Sequence, residues 1–144
     1  MENINEEERW LRDKEIYISN IYANFSKRNW IFYRKQFQKL TPKKLTIKSA
    51  SISCISGIET ITSLESVEFG DGYKLRLEEH EVLSMLKECF KLPNIKQITL
   101  FVADKGGGSA ADHQRYINRI CEFIAIHKPN TQIEKEYSKI DIKL

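Results

Sequence analysis

Between Ile52 and Val67 the apolar residues fall on every third position: Ile52, Ile55, Ile58, Ile61, Leu64 and Val67. An α-helix repeats its apolar face at about 3.6 residues and a strand at 2. Neither period fits. An extended or 3₁₀ return arm repeats near three residues per turn, which turns every third side chain toward one axis. The stretch therefore predicts a coil, with Ile52, Ile55, Ile58 and Ile61 in the core.

The chain has 144 residues, which suits one domain, 1-144, around one core. It is 41% apolar and 30% charged, a globular composition rather than a disordered one. No apolar run approaches the roughly 20 residues of a membrane span, so no membrane partner is expected. The N-terminus, MENINEEERW, is acidic and lacks the apolar stretch of a secretory signal. The expected location is cytoplasmic. The cysteines are Cys54, Cys89 and Cys121, with no C-x-x-C, and an odd count argues against a disulfide framework. Cys89 and Cys121 fall on apolar helix faces and read as small core residues.

The net charge of +3 is unevenly distributed. Ser26 to Lys48 holds eight basic residues and no acidic one, whereas Glu59 to Glu81 holds seven acids against Lys74 and Arg76. The chain thus has a basic beginning and an acidic middle.

Residues 5–25 read as a helix, with Ile18, Ile21, Tyr22 and Phe25 on one stripe. Residues 30–40 read as helix or strand, with helix the preferred reading, stopped by Thr41-Pro42. After Pro42 the texture changes. Leu45-Thr46-Ile47, Val67-Glu68-Phe69, Ile98-Thr99-Leu100 and, less cleanly, 133–137 read as strands. Helices are expected over 78–91, facing inward with Val82, Met85, Leu86 and Cys89, and over 110–127, with Ile117, Ile120, Cys121 and Ile124. Strands alternating with helices predict an α/β fold with a parallel sheet.

Leu45 and Val67 stand 22 residues apart, and the unit between them reads L-x-I-x-x-A-x-I-x-x-I-x-x-I-x-x-I-x-x-L-x-x-V-x-F. This resembles a leucine-rich repeat, and more narrowly the short internalin-type repeat. The core recurs as Leu64-x-x-Val67-x-Phe69 and Ile95-x-x-Ile98-x-Leu100, with spacings of 31 to Ile98 and 35 to Ile133, long enough for an outer α-helix. Ala50, Gly72 and Ala103 stand where the family places asparagine, so no amide ladder is available at that turn. The resemblance implies a short, irregular leucine-rich-repeat-like arc of parallel strands backed by helices. An N-terminal helical cap would cover 1–41 and the repeat-like region 42–144. The alternative is an ordinary open α/β sheet.

Leu100 to Arg115 runs strand, glycine loop, helix start, and Gly106, Gly108 and Ala111 satisfy G-x-G-x-x-A. That fingerprint belongs on the first strand of a βαβ unit, and here it precedes the last strand. Ser109 with Asp112 explains the helix start as a cap. A flexible loop is the reading, with a phosphate ligand at Gly106 to Ser109 as the alternative. His80-Glu81 begins H-E-x-x-H, but Ser84 occupies the second histidine position. No base stands near Cys54 in sequence. The expectation is no enzyme, no metal and no cofactor.

The concave strand face carries the functional expectation. Leucine-rich repeats mostly bind other proteins there, so the resemblance implies a protein-binding module. Its partner-binding residues would be Thr46, Glu68, Thr99, Glu134 and Glu136, with Phe101 flanking. Three carboxylates would suit a basic partner. A Lys-, Ile- and Asn-rich chain points to a low-GC, often bacterial, gene. By analogy the expected role is an immunity protein that neutralises a bacterial toxin, such as a basic nuclease. The alternative is a nucleic-acid-binding protein using the basic-aromatic segment 27–44, where rings stack on bases and cations meet phosphates. That segment also reads as an amphipathic cap, rings inward and cations solvated.

Overall fold

The computed structural model describes residues 15–19, 27–48, 55–70, 78–102, 110–136 and 138–144; for 15–19, 27–29 and 48 the description is of the backbone. Six strands form one mixed sheet: β1 (Glu15–Ser19), β2 (Lys44–Lys48), β3 (Ser66–Phe69), β4 (Gln97–Phe101), β5 (Gln132–Lys135) and β6 (Lys139–Lys143). Among the described residues three α-helices connect them: α1 (Lys27–Leu40), α2 (Glu79–Phe90) and α3 (Ala110–His127). The strand order is β1-β2-β3-β4-β6-β5. The first four strands are parallel neighbours in chain order. β6 runs antiparallel to both β4 and β5.

The mixed α/β fold, with parallel strands backed by helices, agrees with the sequence. The register agrees at the first two steps, and the third is interrupted by β6. Leu45 pairs with Val67, and Val67 pairs with Ile98. Ile133 shares their row across Ile142. Leu45, Ile47, Val67, Phe69, Ile98, Leu100, Ile140 and Ile142 are buried on one face. They form a single cluster with Val82, Met85 and Leu86 of α2 and Ile117, Ile120 and Ile124 of α3. A capping box starts α2: Glu78 N–H donates to the Glu81 carboxylate at 3.1 Å, satisfying one of the free donors of the first turn. Cys89 is fully buried, and burial holds its thiol protonated far above the ordinary range.

Between β2 and β3 the three-residue period has a direct physical cause. Ile58 N–H donates to Ile55 O, Ile61 N–H to Ile58 O, and Leu64 N–H to Ile61 O, at 3.1, 2.9 and 3.1 Å. Three successive i→i−3 bonds wind the chain at three residues per turn. Ile55, Ile58, Ile61, Leu64 and Val67 are all buried as a result. Ile52 and Cys54 lie outside the described residues, as do Ala50, Gly72, Ala103 and Gly106 to Ser109.

The coil is tied to its neighbours by side chains. Ser63 Oγ donates to Pro42 O at 2.6 Å, and Asn94 Nδ2 to Thr62 O at 2.8 Å. Trp30 Nε1 and Arg34 Nη1 both donate to Ser56 O, at 2.8 and 3.0 Å, which fastens α1 to the coil. The next residue, Gly57, has φ +83°, and a Cβ there would collide with Arg34 Nη1. Only glycine takes this left-handed turn and leaves the guanidinium its place.

Two expectations are corrected. Residues 15–19, expected inside a helix, form strand β1, so the segment 1–41 is not helical throughout. Ile16 and Ile18 alternate, and the register sets them opposite Leu45 and Ile47, in the two apolar rows. A strand neighbour won over the weak helical stripe. The sheet is also not purely parallel. Ile140-Asp141-Ile142 has the same apolar-polar-apolar form as the other strands, and it inserts between β4 and β5. That displaces β5 to the sheet edge.

Candidate functional site

Side chains alternate across a strand, so the residues between the buried apolar ones share the opposite face. The register sets Thr46, Glu68, Thr99, Asp141 and Glu134 in one continuous row, with Tyr17 opposite Thr46 on β1. A second row runs Lys44, Ser66, Gln97, Lys143 and Gln132. The expected residues Thr46, Glu68, Thr99 and Glu134 are therefore brought into one row, but Thr46 and Thr99 are themselves buried, at 0% and 6% exposure, and serve as internal partners of the row rather than as contact surface. Phe101 stands in the next row opposite Lys139, whose Nζ lies 5.5 Å from the ring centroid. Glu136 falls just past the end of β5, with its N–H on Lys139 O at 2.8 Å.

The geometry changes what these acids offer. Glu68 Oε2 lies 3.6 Å from Lys44 Nζ and accepts from Thr46 Oγ1 at 3.4 Å. Its side chain is only 17% exposed. Glu134 lies 3.4 Å from Lys143 Nζ. Asp141, unseen because β6 was unseen, accepts from Gln97 Nε2 at 2.8 Å and from Thr99 Oγ1 at 3.1 Å. Those two bonds hold its carboxylate against the middle of the sheet. Glu68 and Glu134 stand three strands apart, about 14 Å at the usual strand spacing. The face is therefore a ladder of paired side chains, with lysines on two of its three acids, rather than an open acidic patch. The lysines were legible only as alternate residues of strands, once each strand was recognised.

At the amino ends of β3 and β4, Glu65 Oε1 meets Lys96 Nζ at 2.6 Å. The Lys96 ammonium holds the Glu65 carboxyl below its ordinary value, by hydrogen bond and by charge, with a smaller pull from Lys43. A depressed folded pKa gives a stabilisation that is present above the unfolded pKa and lost as pH falls through the folded one. Lys96→Met should return the Glu65 titration toward the ordinary carboxylate range and remove its share of the acid limb. A ¹³C carboxyl NMR titration checks this, and an unchanged midpoint would exclude the pairing. The effect on stability should be small and should shrink with salt, since both groups face water.

A concavity of about 320 Å³ lies between the first turn of α2 and the first three turns of α3. Glu78, Glu79, Asp112, Arg115, Tyr116 and Arg119 line it. Arg115 pairs with Asp112, and Arg119 lies 3.7 Å from Glu79. Burial, with Glu78, Glu79 and Glu81 nearby, pushes the Tyr116 phenol well above its ordinary range, so it stays protonated. The cleft's cations thus already face its acids. Among the described residues, no group of three His, Cys, Asp or Glu side chains is placed to hold a metal ion. No helix among them is long and apolar enough to cross a membrane.

In the basic-aromatic segment, Trp30 and Phe37 are buried and Tyr33 and Leu40 pack partly against the core. Lys35, Lys39 and Lys43 are exposed. Phe32 departs from the cap pattern and is 61% exposed. No protein-family model, curated protein or solved structure matches the chain.

Proposed function

We propose that this chain is a protein-binding module that presents the polar face of its sheet to a protein partner, as an immunity or inhibitor protein would to a bacterial toxin. The carrying observation is the ladder itself. Lys44 with Glu68, Gln97 and Thr99 with Asp141, and Lys143 with Glu134 give one broad face of charges in set positions. The buried side chains of α2 and α3 belong to the cluster on the other face. Preset charges of both signs give partner choice by complementarity more than raw affinity. Because Glu68 and Glu134 have their own lysines and Asp141 its amide and hydroxyl, the face reads a partner's charge pattern and does not call for a strongly basic one. The resemblance of the 22-residue unit to leucine-rich repeats supports the same reading by analogy.

The test begins with co-purification of the chain with the product of its neighbouring gene. Glu68→Lys together with Glu134→Lys and Glu136→Lys should then weaken the complex at least tenfold, by isothermal calorimetry. The swap Lys44→Glu with Glu68→Lys restores the internal pair and serves as the folding control. It should keep its melting temperature and still lose affinity. Unchanged affinity in both variants would show that the partner binds elsewhere.

A further inference from the structure

The cap reading of α1 predicts rings inward and cations outward. Three rings obey it and one does not. Trp30 and Phe37 are buried, and Tyr33 is half-buried, whereas Phe32 points outward. An exposed phenylalanine has no role in the core, so its surroundings decide what it can do.

Those surroundings have two features. The first is a linear array of cations. Arg28, Phe32, Lys35 and Lys39 follow i, i+4, i+7, i+11 spacing, which sets the four positions on one helical stripe. Lys35 and Lys39 are exposed, and so is Lys43, three residues past the end of the helix. The whole helix carries no acidic residue. The second feature is a chain of rings leading out of the core. Phe37 stacks on Tyr33 at 6.1 Å and 15°, and Tyr33 meets Phe32 edge-on at 5.8 Å and 69°. Phe32 is thereby braced by a ring that is itself anchored on a buried one.

We propose that the outward stripe of α1 is a binding surface for single-stranded nucleic acid, with Phe32 as the stacking platform and Lys35, Lys39 and Lys43 on the phosphates. A line of cations matches a linear polyanion, and a braced ring among them matches a base plane. An acidic protein fits less well. A protein hot spot needs an apolar, water-excluding surround, and Phe32 stands among cations. A duplex offers phosphates but no free base for the ring. This surface is separate from the sheet face, and either can fail without the other.

Fluorescence anisotropy with a labelled 12-nucleotide uridine strand tests it. Binding should appear at 50 mM salt and fall with a log–log salt slope of about −2, from about 0.7 per neutralised phosphate at the three lysines. Phe32→Ala should weaken binding roughly five- to a hundredfold, the usual worth of one stacked base, while Phe32→Trp retains it. Lys35→Ala should reduce the slope by about 0.7. Because Phe32 is exposed, the alanine variant should melt as the parent does. Three outcomes overturn the proposal: no anisotropy change up to about 100 μM protein, the weak end of non-specific binding; full binding by Phe32→Ala; or equal binding of a duplex or of polyglutamate.

Discussion

Replacing Ile58 with alanine should destabilise the protein by about 2–5 kcal/mol, read as a lowered urea midpoint at unchanged slope. Ile58 is fully buried, and its carbonyl and N–H hold two of the three successive turns of the coil. Alanine removes the side chain without disturbing those backbone bonds. The loss is therefore transfer energy plus the cavity left against the cluster, since interiors are close-packed. Ile55, Ile61 and Leu64 are as deeply buried and should behave alike. The residues between them should not. Ser56 and Thr62 are exposed, and alanine at either should stay within about 0.5 kcal/mol. Setting aside Gly57, whose left-handed φ strains any side chain, and Ser63, which donates to Pro42 O, a scan across 55–64 should thus show a cost that returns every third residue. A flat scan, or one with a period of two, would refute the coil.

Trp30→Ala should cost about 3–5 kcal/mol by the same measurement. Trp30 is fully buried, and its indole N–H is the shorter of two bonds onto the Ser56 carbonyl. Truncation opens a large void between α1 and the coil and removes one donor. Trp30→Phe separates the two effects. It keeps most of the ring and leaves Arg34 still donating to Ser56 O. The expected cost is about 0.5–1.5 kcal/mol, the net worth of a hydrogen bond. If phenylalanine cost as much as alanine, the bond rather than the packing would dock α1.

Much of the fold was legible in local pattern. The helical stripe of Ile117, Ile120 and Ile124 located α3, and its bounds match the expected 110–127. The spacings of 22 and 31 between equivalent apolar residues became the strand register. The three-residue period became a run of i→i−3 bonds. Each of these signals is carried by the chain's own near neighbours, where periodicity and hydrogen bonding repeat the same geometry. The candidate face was half legible. Thr46, Glu68 and Thr99 were found because strand alternation is local. Their partners were not, because pairing across strands depends on which strands become neighbours.

The two corrections have that same origin. Residues 15–19 carry both a helical stripe and an alternating one, and local pattern does not choose between them. The backbone of β2 chose, by offering a parallel partner along all five residues of β1. The last five strand residues, 139–143, take the place beside β4 and separate Glu134 from Thr99. The sequence by itself determined the apolar rows of β2, β3 and β4 and the winding of the coil and of α3, since those patterns are written in residue order. The tertiary structure alone decided the strand order, and with it that each acid of the polar face meets a lysine or an amide. Those contacts join residues distant in the chain, and only the folded sheet brings them within reach.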